Sequence, residues 1–206
     1  MNRFFRPAFA LCALLFLSGP LTAPLAAEVE TASLGGGEEE RVTEVAGCVL
    51  TAKAICPGID LRHRNLRSLS LAGADLRGAN LMRADLRHAD LRGADLSGAI
   101  LDGADLRTAF LQGTRLSGAR LRGANLEFAR ANGADLRQAD LTAANLEALR
   151  ADKADLTGAN LEGANLQEAK LSLTNLSHAN LEGAKIRFAI FQDALMTDCR
   201  SCPTDW

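Results

Sequence analysis

The chain of 206 residues has no Tyr, a single Trp, three His and five Pro, and aromatic residues make up 4% of it. So few rings leave no ladder on which nucleic-acid bases could stack, and with Lys+Arg 23 against Asp+Glu 25 the charge is −2, not the basic excess of a nucleic-acid binder. The longest apolar run, Ala8 to Leu17, is far short of the ~20 residues a bilayer span needs. No Ser-His-Asp arrangement, phosphate-binding loop or helical zinc motif occurs.

What the chain has instead is a period of five. From Leu61 to Met196 a core-type residue returns every fifth position, 28 times, and Leu fills 23 of these; the exceptions are Ala131, Ala151, Ile186, Phe191 and Met196. Ala stands two before the centre in 22 of the 28 units, and Gly two after it in 12. On a helix of ~100° per residue such centres would spiral around the axis and leave no apolar face. On a flat strand of period two they would switch faces at every repeat. The pattern is satisfied if Ala and Leu point the same way from a short extended segment and the chain turns a corner before the next pair. A narrow interior built from Leu and Ala at close spacing also has little room for rings, which accounts for the scarce aromatics.

Units such as Ala74-Asp75-Leu76-Arg77-Gly78, Ala79-Asn80-Leu81-Met82-Arg83 and Ala84-Asp85-Leu86-Arg87-His88 carry an Ala-(Asp/Asn)-Leu-x-x pattern that resembles the pentapeptide-repeat proteins. The resemblance covers roughly Gly58 to Met196. It implies an all-β chain wound as a right-handed quadrilateral β-helix, one pentapeptide per side and 20 residues per coil, hence about seven coils. It also brings a functional association, because some members mimic DNA with an acidic rod and modulate type II topoisomerases. Cys56-Pro57-Gly58-Ile59-Asp60-Leu61 resembles the Cys-Pro-x-Cys-x-Leu opening of some exported members, with Ile59 where the second Cys would stand.

The flanks are read as follows. Residues 1–27 form a cleavable export signal: Arg3 and Arg6 precede the apolar run, and Leu25-Ala26-Ala27 offers small residues for cleavage. Its removal takes the mature charge to −4, with 21 bases left against 25 acids. Residues 28–41, with Gly35-Gly36-Gly37 before Glu38-Glu39-Glu40, are a flexible acidic linker. Residues 42–57 cap the first coil, as a short helix suggested by the spacing of Val42, Val45 and Val49 or as an irregular plug. The solenoid occupies 58–198. The tail, 199–206, is expected to leave the register from Thr197 onward, with Trp206 packed over the last coil.

Several positions inside the repeat carry their own expectations. Arg64 and Leu69 replace the inward Ala, so the first coil should splay there, or the Arg64 guanidinium should escape over the open end. Thr114 and Thr174 take the same place, where their hydroxyls can bond to the backbone. Ala129 and Ala131 leave a gap over which Phe128 is expected to lean, whereas Leu149 and Ala151 exchange sizes one coil on. The larger Phe188, Phe191 and Met196 suit a terminal coil that needs a lid.

For chemistry, the mature chain keeps Cys48, Cys56, Cys199 and Cys202. An even count in an exported chain points to disulfides, and the ~30 Å between the ends of the rod favours the local pairs 48–56 and 199–202. Cys199-Arg200-Ser201-Cys202 also has the spacing of a thiol–disulfide redox pair, an alternative function. His63, His88 and His178 lie on different sides of separate coils and cannot converge on a metal. Asp75, Asp95, Asp135 and Asp155 share one outward column, where Asp and Asn would bond to backbone groups at the corners.

Two basic columns stand out. One stacks Arg130, Arg150 and Lys170, the other Arg67, Arg87 and Arg107. Asp135 and Asp155 in neighbouring units invite intramolecular pairing with the first, and a partner-binding face is the alternative. The expectation is therefore a non-catalytic exported protein, an interaction or structural module with an unidentified protein partner. No catalytic residue, cofactor, metal, nucleic acid or stable membrane insertion is expected.

Overall fold

In the computed structural model, residues 43–204 are described, all within the unit Glu38–Trp206. The export signal, the linker and Trp206 lie outside the described residues. From Ile55 to Arg200 every fifth residue is paired in parallel with the residue twenty further on, starting at Ile55↔Asp75 and ending at Asn180↔Arg200. Twenty residues therefore make one turn of a coil, and five make one side. This is a β-helix of parallel coils with a Leu and Ala interior.

The unit Ala74–Gly78 shows why five residues suffice. Its five amide N–H groups find five different acceptors. Ala74 donates to Leu71 O at 3.0 Å, Asp75 to Ala54 O of the coil below at 2.8 Å, and Leu76 to Asp95 O of the coil above at 2.8 Å. Gly78 donates to Ser97 O at 3.0 Å, and the remaining donor, on Arg77, is taken by the Asp75 side chain at 3.3 Å. The Ala79 N–H closes the corner onto Leu76 O, with Gly78 left-handed at φ 65, as the third residue of a type II turn requires. Because buried backbone groups must be paired, the Asp or Asn before each Leu completes the corner as the Leu completes the core.

The interior follows the period. The centres from Leu61 to Leu181 are buried throughout, and so are the Ala residues before them from Ala74 to Ala179. Thr114 and Thr174 are buried at the small position, their hydroxyls donating to Leu91 O at 2.8 Å and to Leu171 O at 2.6 Å. Arg64 turns out to solvent and Leu69 is half-buried, yet the first coil is not splayed: Asp85 N–H donates to Arg64 O and Asp90 N–H to Leu69 O, both at 2.9 Å, so the misfitting side chain escapes while the backbone pairing holds.

Three local expectations are corrected. The described part of the cap is a hairpin, not a helix: β1 (Glu44–Val45) pairs antiparallel with β2 (Cys48–Val49). Its turn, Ala46-Gly47, is left-handed at both residues (φ 49 and 78), the combination that two-residue hairpins favour. Leu50 then plugs the first coil, 1% exposed. Phe128 does not lean over the Ala129/Ala131 gap. It sits left-handed at a corner (φ 56), which directs it outward, and is 55% exposed. The register also persists past Thr197, with Cys199 donating to Met196 O at 3.2 Å and Arg200 to Ala179 O at 2.8 Å. In the last coil Phe191 enters the core, while Phe188 lies outside under Arg187, 4.6 Å from its ring.

Candidate functional site

The four cysteines pair locally. Cys48–Cys56 joins the hairpin to the first coil with Cα atoms 6.1 Å apart, and Cys199–Cys202 closes the last turn at 5.7 Å. The three histidines occupy left-handed corners, with φ between 58 and 61. His88 Nδ1 meets Thr108 Oγ1 at 2.6 Å, and His178 lies 3.7 Å from Asp198. Among the described residues no group of three His, Cys, Asp or Glu side chains is placed to hold a metal ion.

Among the described residues, six of the acid–base pairs on the outer faces are internal to one pentapeptide, and the others run between coils. Residues two apart in an extended segment share a face, so the Asp before a Leu meets the Arg after it. Asp85 accepts from Arg87 Nε at 2.8 Å, Asp90 from Arg92 at 2.8 Å, and Asp135 from Arg137 at 2.8 Å. In each case the guanidinium beside it holds the carboxyl below the usual carboxylate range, against the opposing effect of partial burial. Arg137 is correspondingly raised by Asp135.

This pairing separates the two basic columns. Arg87 and Arg107 are held by Asp85 and Asp105, Arg87 also lies 3.6 Å from Asp105, and the charge of Arg67 acts on Asp85. Arg130, Arg150 and Lys170 differ. They occupy the position before the centre, where Asp or Asn usually stands, and among the described residues none of them has a carboxylate within 4.0 Å. The expected pairing with Asp135 and Asp155 is not made: Asp135 is taken by Arg137, and Asp155 accepts from Thr157 and faces Arg137 at 3.9 Å. Arg115 interrupts the Asp75–Asp95–Asp135–Asp155 column and lies 3.6 Å from Asp95.

The surroundings of the free column were not singled out from the sequence, although counting in twenties reaches them. Phe110 is one coil below Arg130, which stands 5.3 Å over its ring, with Arg92 6.0 Å away. Ile190 is one coil above Lys170 and is 46% exposed. Two corners add apolar surface, Phe128 before Arg130 and Leu173 after Lys170 (53% exposed). The neighbouring face is polar and tightly laddered: Asn145 Nδ2 donates to Asn125 at 3.3 Å, and Asn165 Nδ2 to Asn145 at 3.1 Å.

Comparison with known proteins follows the same architecture. The family model for pentapeptide repeats matches residues 52–81, 79–118, 119–158 and 154–198. No curated protein sequence matches the chain. Among solved structures, HetL, a pentapeptide repeat protein involved in heterocyst differentiation regulation in the cyanobacterium Nostoc sp. strain PCC 7120, is 33% identical. The match covers 72% of this chain and 81% of HetL, with a TM-score of 0.51. QnrB1, a plasmid-mediated fluoroquinolone resistance protein, is 20% identical over 69% of this chain and 79% of its own, at a TM-score of 0.35. Rfr23 from the cyanobacterium Cyanothece 51142 is 26% identical over 69% and 90%, at 0.30.

Proposed function

Since the chain belongs to the pentapeptide-repeat family, we propose that it is a non-catalytic module for protein interaction, acting in an exported compartment. The observation that carries this is the face on which Arg130, Arg150 and Lys170 stand exposed and without carboxylate partners, on a frame whose other Asp–Arg pairs are closed on themselves. A flat polar face of this kind suits extended contact with another chain. Right-handed winding in about seven coils accompanies the proposal. It is supported by the family and by the twenty-residue register running from Ile55 to Arg200.

Export is supported by the sequence start, with Arg3, Arg6 and the apolar run Ala8 to Leu17. It is supported too by the two cysteine pairs, which suit an oxidising compartment such as a periplasm. Among the described residues no helix is long and apolar enough to cross a membrane. Affinity capture from the exported fraction, with the processed protein as bait, tests the reading. A stoichiometric protein partner is expected, and capture of none would count against it.

A second reading, a DNA-mimicking topoisomerase modulator, draws on the mature acidic balance and on the family. It calls for a continuous acidic face, whereas Asp85, Asp90 and Asp135 are each neutralised by an Arg two residues on. A gyrase supercoiling assay with the processed protein separates the readings, with no effect expected. A thiol–disulfide function at Cys199–Cys202 is tested by insulin reduction, where activity lost in Cys202→Ser would favour it.

A further inference from the structure

We propose that the face carrying Arg130, Arg150 and Lys170 is a docking strip for an extended acidic segment of a partner protein, one whose carboxylates are interspersed with apolar side chains. The proposal rests on the reading of the chain as an interaction module and names the chemistry of the partner.

The three cations stand on successive coils, joined by the backbone pairs Arg130↔Arg150 and Arg150↔Lys170. Their stems therefore leave the surface ~4.8 Å apart. Like charges directly opposite one another destabilise a sheet, so the column weakens the rod until a negative group lies against it. The nearby acids do not supply one. Asp152, two residues past Arg150, directs its carboxylate to the Ser172 N–H at 3.2 Å and to Asn132 Nδ2 at 3.0 Å. Glu168, two residues before Lys170, is exposed and among the described residues forms no ion pair. In other units Arg77, Arg87, Arg92, Arg107 and Arg137 each pair with the Asp two residues before; here the position that would hold that Asp is itself the cation.

The apolar component is equally local. Phe110 and Ile190 extend the column at its two ends, and Phe128 and Leu173 lie at corners beside it. A strip of cations bordered by the exposed Phe128, Leu173 and Ile190 complements a segment that is both acidic and apolar, with Phe110 half-buried beneath Arg130. Same-face side chains of an extended polypeptide recur about every 6.7 Å, somewhat wider than the coil spacing, and long Arg and Lys stems take up the difference. A nucleic acid fits less well. The Phe110 ring already faces Arg130 and Arg92 and is not offered to a base, and the chain as a whole is net negative.

The test is fluorescence anisotropy with the processed protein and a labelled peptide of Glu-Glu-Leu repeats, alongside the Lys-Lys-Leu counterpart, oligo-dT and phosphatidylserine vesicles. The acidic peptide should bind, more weakly as salt rises. The neutralised variant R130Q/R150Q/K170Q should lose about tenfold in affinity, with its melting temperature as the control for folding. Neutralising the other column, R67Q/R87Q/R107Q, in which Arg87 and Arg107 are held by their own Asp residues, should change affinity by no more than about twofold. Equal losses in both variants, no binding at low salt, or tighter binding of oligo-dT or vesicles than of the peptide would overturn the proposal. Repeating the affinity capture with R130Q/R150Q/K170Q separates the two levels. A partner held equally by wild type and variant leaves the interaction module standing and removes the strip; a partner captured by neither removes the module itself.

Discussion

Asp102 accepts a hydrogen bond from the backbone N–H of Arg122, one coil above, at 3.1 Å. In most units that N–H is taken by the Asp or Asn two residues earlier in the same unit, as Asp85 does for Arg87. The unit of Arg122 has Arg120 there instead, and Asp102 serves both residues, pairing with the Arg120 guanidinium as well. Asp152 likewise accepts the Ser172 N–H at 3.2 Å, in a unit that carries Lys170, but does not pair with that Lys.

This substitution of one coil for another makes a specific prediction. Asp102→Ala removes the acceptor for a backbone donor and should cost about 1–2 kcal/mol. Placing Asn at the vacant local position, Arg120→Asn, should recover much of that loss in the double variant, because the side chain can then bond to Arg122 N–H within its own unit. Urea denaturation of the four proteins in the cycle measures the coupling. Additive effects would show that Asp102 is coupled neither to the Arg122 N–H nor to the Arg120 guanidinium.

The pH dependence follows from the Asp–Arg pairs. Asp85, Asp90 and Asp135 are lowered from an ordinary value of 3.8, chiefly by hydrogen bonds from Arg87, Arg92 and Arg137. A carboxyl depressed in the folded state contributes stability that is present above its unfolded value and lost as pH falls through the folded one. The loss should therefore begin below about pH 5 and deepen towards the folded values. Asn retains the side-chain oxygen that accepts the backbone N–H, as Asn145 does for Glu147 at 3.3 Å. D85N/D90N/D135N should thus be slightly less stable at neutral pH and lose less melting temperature than wild type between pH 7 and pH 3. An equal fall in both would assign the acid sensitivity to other groups.

The Ala129/Ala131 pair is a thin point in the core. Both are buried, at 0% and 1% exposure, and the outward course of Phe128 leaves their side of the coil to be filled from within. Leu111 below and Leu149 above are buried on the same side. Ala131→Leu restores the residue that most centres carry, so its melting temperature should be unchanged or higher, by the equivalent of about 1–2 kcal/mol if the gap accepts the side chain without strain. A clear fall would mean that the neighbouring coils have already closed in.

The core was legible because its geometry dictates composition: a narrow interior admits Leu, Ala and an occasional Thr, and the sequence repeats that demand every five residues. The ends were not. The cap is a hairpin two residues deep, too short to impose a period, and the helical spacing of its valines was a weaker signal than the turn residues Ala46-Gly47. The register continues to Arg200 because Cys199 is small enough for the inward Ala position, although nothing near it spells the repeat. The column of Arg130, Arg150 and Lys170 could be found by counting in twenties. That it stands unpaired could not, because Asp135 had two Arg residues within reach in sequence, and the nearer one on its own face took it.

The two disulfides should differ in weight. Cys48–Cys56 ties the hairpin to Cys56, which is 6% exposed and part of the first coil, across a separation of 8; its loss should cost about 2–3 kcal/mol in chain entropy. Cys199–Cys202 spans only 3 and secures the last turn of a solenoid, whose ends open more readily than its middle. C48A/C56A should therefore lower the melting temperature of the whole rod. C199A/C202A should mainly expose the final coil, seen as earlier protease cleavage near Lys185 or Arg187 with little change in melting. A reducing agent should reproduce the first effect in the wild type and leave C48A/C56A nearly unmoved. If C199A/C202A proves the more destabilising of the two, the C-terminal coil rather than the hairpin end is where the solenoid is held closed.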